Sequence, residues 1–201
     1  HQGNLTIDGT PLLRGFFDQD WNLSKQYQWQ GDQKLRDKIM PNQLPQMNLS
    51  EMKNSAVYLS DTRPDSINQW TGLAEMDRNF WGDPFQIDAK KYQKGISVFP
   101  NSELIYRPNG EWDTFSAIVS AELNPYSNLK KEEYRGGKIQ FGVYGDGDEL
   151  FVSRVMDVNS EAQEIDISIN SIKELKLVVR TQDWLPYFAQ CGNWIEAKLV
   201  R

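Results

Sequence analysis

The chain holds a single histidine, and it is residue 1. That scarcity removes Ser-His and Cys-His nucleophile pairs, histidine metal clusters and histidine general bases together. Cysteine is as scarce: Cys191 stands alone, so no internal disulfide forms, and a buried, inert thiol is expected. No glycine-rich phosphate loop of either standard type is present. Positive charge is also short, with 22 Lys and Arg against 28 Asp and Glu and a net charge of −6. A phosphate backbone or an anionic membrane surface would be repelled. No apolar run approaches the roughly 20 residues of a membrane span. No secretory leader is read at the start, so a cytosolic chain and a mature or excised piece of an exported one are both left open.

What the sequence has in quantity is aromatic residues: seven Trp, eight Tyr and nine Phe. These serve cores first, and they also stack on sugar rings and bases. The 201 residues suffice for one domain with extra length. Residues 1–55 are rich in Gln, Asn and Lys and read as an extension or linker. One short helix is expected from Asp32 as N-cap to Met40, with Leu35 and Ile39 on one face and Pro41 ending it. From Ala56 onward the apolar period becomes two. KIQFGVY places Ile139, Phe141 and Val143 on one face, QEIDISI does so with Ile165, Ile167 and Ile169, ELKLVVR with Leu175, Leu177 and Val179, and DTFSAIVSA with Phe115, Ala117, Val119 and Ala121. These are half-buried strands with one wet face. Turn signals at Asn109-Gly110, Gly136-Gly137 and Asp146-Gly147 separate them, and many short punctuated strands predict an all-β sandwich or jelly roll. Asp146, Asp148 and Glu149 crowd one such turn. A calcium loop would need alternating ligands and a later Glu. An apolar strand follows instead, so Asp-Gly is read as a tight hairpin turn.

Seven collinear blocks then carry a family likeness: VYLSD (57–61), NQWTGLAEMDRN (68–79), YQKGISVFPNSELIY (92–106), FSAIVSAE (115–122), IQFGVYGDGDELFVS (139–153), IKELKLVV (172–179) and NWIEAKLV (193–200). Together they resemble the NPCBM family, carbohydrate-binding module family 51, over residues 56–201. The resemblance implies a galactose-binding-domain-like jelly-roll β-sandwich with a shallow sugar site at one end. It implies a module appended to secreted bacterial glycosidases, binding galactose-containing glycans at the cell surface, in the periplasm or outside, with a catalytic domain in the same parent chain. A structural calcium is common in such sandwiches. The chain departs from the family pattern at three places: Phe99 stands for a His, and Gln190 and Cys191 stand for the first two residues of an Asp-His-Ala-Asp-Trp stretch. Each lost polar partner costs about 1–3 kcal/mol if its counterpart stays unpaired.

The candidate sugar-site residues on this likeness are Trp70, Glu75, Asp77, Arg78, Phe99, Asn101, Trp184 and Tyr187. Trp70 either stacks on a galactose ring or caps the core. Glu75 accepts from sugar hydroxyls with Arg78 orienting it, or Asp77 and Arg78 form a loop-fixing ion pair, the reading preferred here. Asn101 donates to a hydroxyl or caps the turn after Pro100. Trp184 and Tyr187 are the surface candidates of the 181–194 connection, whereas Trp194 and Trp112 are expected in the core. Asp61 and Glu196 would meet if the first and last strands pair, and two carboxylates with backbone carbonyls suit calcium, or Glu196 faces solvent. The function expected is a non-catalytic carbohydrate-binding module. A structural or protein-interaction sandwich is the alternative, and no motif supports the carboxylate pair of a glycosidase.

Overall fold

A computed structural model of the chain describes residues 2–7, 10–16, 28–29, 47–69, 74–123, 137–182 and 190–201. The chain divides into two compact units, His1–Gln43 and Leu44–Arg201. In the first, strands β1 (Gln2–Ile7), β2 (Thr10–Phe16) and β3 (Gln28–Trp29) pair antiparallel in the order β1-β2-β3. The helix expected over Asp32–Met40 lies outside the described residues.

The second unit is an antiparallel sandwich. One sheet orders β13 (Asp148–Val152), β12 (Ile139–Gly145), β15 (Leu175–Thr181), β10 (Ser102–Tyr106) and β5 (Ser66–Gln69). The other orders β14 (Gln163–Ser168), β11 (Thr114–Leu123), β16 (Gln190–Val200), β9 (Gly95–Val98) and β6 (Glu75–Met76), with β4 (Ala56–Tyr58) also on β16. A small hairpin, β7 (Phe85–Ile87) and β8 (Lys90–Tyr92), completes it.

The period-two faces meet as the core. Phe141, Val143, Leu177 and Val179 of one sheet are buried with Phe115, Val119, Ile96 and Trp194 of the other. Trp194 joins the sheets: its ring stands edge-on to Phe141 at 5.1 Å and 89° and lies 6.4 Å from Phe115. Edge-to-face geometry suits the ring quadrupoles, and truncating such a Trp costs about 3–5 kcal/mol. Trp112 is buried as well, its indole N–H donating to the Leu49 carbonyl at 3.0 Å. The Asp-Gly stretch is the hairpin turn between β12 and β13: Asp146 and Gly147 both have positive φ, 51° and 96°. The Asp146 carboxylate accepts from the amides of Lys173 and Glu174, which ties the turn to the start of β15.

The outer face of the six-stranded sheet is not wet along β16, where Gln190 to Ile195 are all buried. The connection between β6 and β9 folds back over it. Phe85 is fully buried there, and a Cβ added to Gly95 would lie 2.8 Å from its ring. Gly95 thus lets the β7–β8 hairpin sit flat on the sheet.

Candidate functional site

Antiparallel register places Glu75 opposite Ser97, Ser97 opposite Asn193, and Asn193 opposite Ser120. Directly opposed residues share a face, so these four form a polar row across the outer side of the sheet. Cys191 and Glu122, themselves opposed, lie on the same face one step away. The row is knitted together under the loop after β6. Ser97 Oγ donates to Asn193 Oδ1 at 2.7 Å, and Asn193 Nδ2 donates to Glu122 Oε2 at 2.7 Å. Asn79 Nδ2 donates to the other Glu122 oxygen at 2.8 Å, while its own Oδ1 accepts from the amides of Trp81 and Asp83. Asn79 therefore holds the loop's shape from below. Cys191 Sγ approaches Asn193 Oδ1 at 3.5 Å, and burial, aided by Glu122, pushes its thiol far above the usual range. It is a neutral, unreactive thiol, as expected.

At the rim of the row, Glu75 is nearly buried and Arg78 half exposed, with side-chain exposures of 11% and 41%. Arg78 Nε and a terminal guanidinium nitrogen each lie 2.7 Å from Glu75 Oε2. Burial raises the Glu75 pKa and Arg78 pulls it back, for a net rise. Phe99 follows β9 on this face. Its ring packs 4.0 Å from that of Phe80, which lies edge-on to Trp81 at 6.2 Å. Phe99 lies two residues beyond Ser97, the residue opposite Glu75, which sets this half-buried aromatic patch on the same face as the carboxylate-guanidinium pair. Such a pairing offers acceptors and donors for hydroxyls beside an apolar surface for ring C–H groups.

The ion pairs differ from the preferred expectation. Arg78 goes to Glu75, and Asp77 goes to Lys94, whose ammonium bridges Asp77 at 2.7 Å and Asp61 at 2.5 Å. Asp77 has φ 61°, and its amide donates to the Gly95 carbonyl. That left-handed residue turns its side chain away from Arg78's partner and toward Lys94. Burial alone would lower the Lys94 pKa, but Asp61 and Asp77 outweigh it and the net shift is upward. Asn101 adopts φ 62° at the turn after Pro100, and its Oδ1 accepts from the Thr181 amide at 3.1 Å. It joins two strands of the five-stranded sheet instead of reaching the polar row.

The first and last strands of the sandwich do pair, Tyr58 opposite Lys198, and Asp61 and Glu196 each have a partner of their own. Asp61 lies in the 3-10 turn after β4 and holds Lys94. Glu196 sits at a register shift in β16 with φ 53°, and its carboxylate accepts from the Tyr58 hydroxyl at 3.1 Å. An ammonium already supplies positive charge at Asp61, and no group of three or more His, Cys, Asp or Glu that could hold a metal gathers among the described residues. A calcium ion, which takes six to eight oxygens, would need backbone carbonyls beside these two carboxylates and the Lys94 ammonium displaced from Asp61. Gln190 lies on the same face of β16 as Trp194, and its buried amide has no partner among the described residues. Trp70, Trp184 and Tyr187 lie outside the described residues.

An all-β antiparallel sandwich with a carboxylate, a guanidinium and aromatic rings beside one sheet has the architecture of the sandwich-type carbohydrate-binding modules, a class of non-catalytic binding modules. The family model described as NPCBM/NEW2 domain matches residues 55–200, and the chain belongs to that family. It is similar, at 25% identity and a TM-score of 0.61, to "CBM51 from Clostridium perfringens GH95 in complex with methyl-galactose", over 72% of this chain and 99% of that one. The fold is shared at 22% identity and a TM-score of 0.63 with "CBM51-2 in complex with GlcNAc and INT domains from Clostridium perfringens ZmpB", over 74% of this chain and 32% of that one. A curated Renibacterium salmoninarum protein named "Putative endo-alpha-N-acetylgalactosaminidase" is 29% identical over 123 residues. Those residues are 59% of this chain, and the match spans only 7% of that protein.

Proposed function

We propose that the chain is the glycan-recognition module of a larger secreted glycan-processing protein, and that it takes a terminal galactose residue at Glu75 and Arg78. The observation that carries this is the Glu75–Arg78 pair, 2.7 Å apart at the rim of the polar row, beside the Phe80–Phe99 patch. Glu75 accepts from adjacent sugar hydroxyls, Arg78 donates to one and fixes the carboxylate, and the aromatic patch covers the apolar face of the ring. The methyl-galactose of a relative that this chain nearly spans supports the choice of sugar. The GlcNAc of a second fold neighbour supplies the competing ligand. A catalytic domain in the same parent chain is supported by the curated match, a protein named "Putative endo-alpha-N-acetylgalactosaminidase" of which this chain matches 7%, and secretion belongs to the same proposal.

The test is isothermal titration of the full chain with methyl galactoside and with GlcNAc. Saturable micromolar-to-millimolar binding of the galactoside, lost in Arg78→Ala, supports the reading. Binding of GlcNAc alone replaces the sugar, and binding of neither overturns the site. A second reading, a sandwich that serves structure or protein interaction, has its own observation: Phe99 packs against Phe80 where the family carries a polar histidine. On that reading no sugar titrates, and Phe99→His restores none.

A further inference from the structure

On the same sheet, about 14 Å across the strands from Glu75 at ~4.8 Å per strand, two adjoining hollows of about 680 and 880 Å³ open along β11. They share Tyr92, Ile118 and Glu164 and so form one groove. Its floor is the outward face of β11: Ser116, Ile118, Ser120 and Glu122, each only half-buried. The β7–β8 hairpin makes one wall and β14 the other, with Ile118 opposite Glu164 and Ser116 opposite Asp166 in register. From Ser116 to Glu122 the floor runs ~20 Å at ~3.4 Å per residue, room for several linked pyranose rings.

We propose that this groove is a second binding site, for an internal stretch of a neutral oligosaccharide. Charge selects the occupant. The end near Tyr58 carries Lys90, Lys91, Lys94 and Lys198 beside Glu164, Asp166 and Glu196. The other end carries Asp88, Glu122, Glu161 and Glu164 and no lysine. A polyanion meets carboxylates along the whole groove, and a polycation meets Lys90, Lys91 and Lys198 at one end, Lys94 being held by Asp61 and Asp77. An uncharged chain of hydroxyls finds donors at one end and acceptors at the other without a charge clash. The floor alternates hydroxyl and apolar side chains, the pattern a sugar presents as hydroxyls and ring C–H patches. Tyr92 stands at the midpoint as the one aromatic common to both halves, and Lys90 Nζ lies 4.5 Å from its ring centroid, a flexible cover that a sugar ring displaces. Two sites on one small module raise avidity for a long glycan beyond that of either alone.

The inference stands apart from the Glu75 site, and one experiment separates them. Amide chemical shifts of the full-length chain are mapped with a neutral tetrasaccharide of alternating galactose and N-acetylglucosamine, with methyl galactoside, and with a hyaluronan tetrasaccharide as the acidic arm. The expected result is that the neutral tetrasaccharide shifts Tyr92, residues 116–122 and Glu164, whereas methyl galactoside shifts only the surroundings of Glu75. Tyr92→Ala weakens tetrasaccharide binding about fivefold. The exposed Glu164→Ala, which leaves packing alone, weakens it about threefold. Neither changes methyl galactoside binding. Arg78→Ala leaves the groove shifts in place. Tetrasaccharide shifts confined to the Glu75 side, affinity unchanged in Glu164→Ala, or equal shifts with hyaluronan each overturn the proposal.

Discussion

At the scale of single residues, Asn193 does most to define the buried row. It accepts from Ser97 and donates to Glu122 while nearly fully buried. Asn193→Leu removes both bonds, one to the Ser97 hydroxyl and one to the Glu122 carboxylate, in a dry site, a penalty of about 2–4 kcal/mol. Urea denaturation should show the midpoint falling with an unchanged slope, whereas an unchanged midpoint would mean that the network is idle. Glu75 yields a prediction in pH. Burial raises its pKa above the ordinary 4.5 despite Arg78. Between 4.5 and that raised value the folded chain holds a proton that the unfolded chain releases, so this group's contribution to stability falls as pH rises through the window. Sugar binding has the opposite slope, because only the ionised carboxylate both accepts hydroxyls and holds Arg78. Galactoside affinity should therefore drop on acidification while ordinary carboxylates are still ionised. Glu75→Gln should bind more weakly and with a flat profile; a sloping profile in that variant would assign the titration to another group.

At the scale of elements, turns and tethers hold strands whose faces were already decided by periodicity. Gly147 has φ 96° and open space around a notional Cβ, so Gly147→Ala tests conformation alone. The expected loss is about 1 kcal/mol, read as a fall of ~2–4 °C in Tm for a chain of this size. Lys94 tethers the turn after β4 to the loop after β6 through Asp61 and Asp77. All three side chains are partly exposed, so Lys94→Met should cost only about 1 kcal/mol, and a thermal melt showing several times that loss would give the tether a larger role. These elements also show what sequence can and cannot reveal. The Ile139-Phe141-Val143 and Leu175-Leu177-Val179 alternations and the Asp146-Gly147 turn are local signals, and each appears in the structure as read. Ser97, Glu122 and Asn193 carry no local signature, since their partners in the row are 43 to 96 positions away, and only the turn that Asn79 makes with Trp81 and Asp83 is local. The expected Asp77–Arg78 pair gives way to Asp77–Lys94 because adjacency to Arg78 is visible in sequence, whereas the positive φ of Asp77 is not. The covered outer face of β16 has no local signature either: Phe85 and Gly95 are ten residues apart in sequence, and only the fold-back of the hairpin brings them into contact.

At the scale of the molecule, the question is where the sandwich begins. The family match starts at residue 55, and the change of period at Ala56 points to the same place. Packing puts the boundary earlier. Leu49 belongs to the buried core, Met47 and Met52 pack against it, and Trp112 donates its indole N–H to the Leu49 carbonyl. The compact unit accordingly begins at Leu44. We predict that a fragment of residues 44–201 melts at the temperature of the sandwich in the full chain. A fragment of residues 56–201 loses the Leu49 side chain, worth about 3 kcal/mol, and leaves the Trp112 indole short of its acceptor, about 1–3 kcal/mol more. Against a total stability of about 5–15 kcal/mol, that loss should lower Tm by roughly 10 °C or more at ~2–4 °C per kcal/mol. Leu49→Ala in the longer fragment should reproduce the larger share of the drop, since it keeps the backbone carbonyl and removes only the side chain. Equal melting of the two fragments would place the start of the cooperative unit at Ala56 and make residues 47–55 a passive overlay, which the burial of Leu49 at 3% exposure argues against.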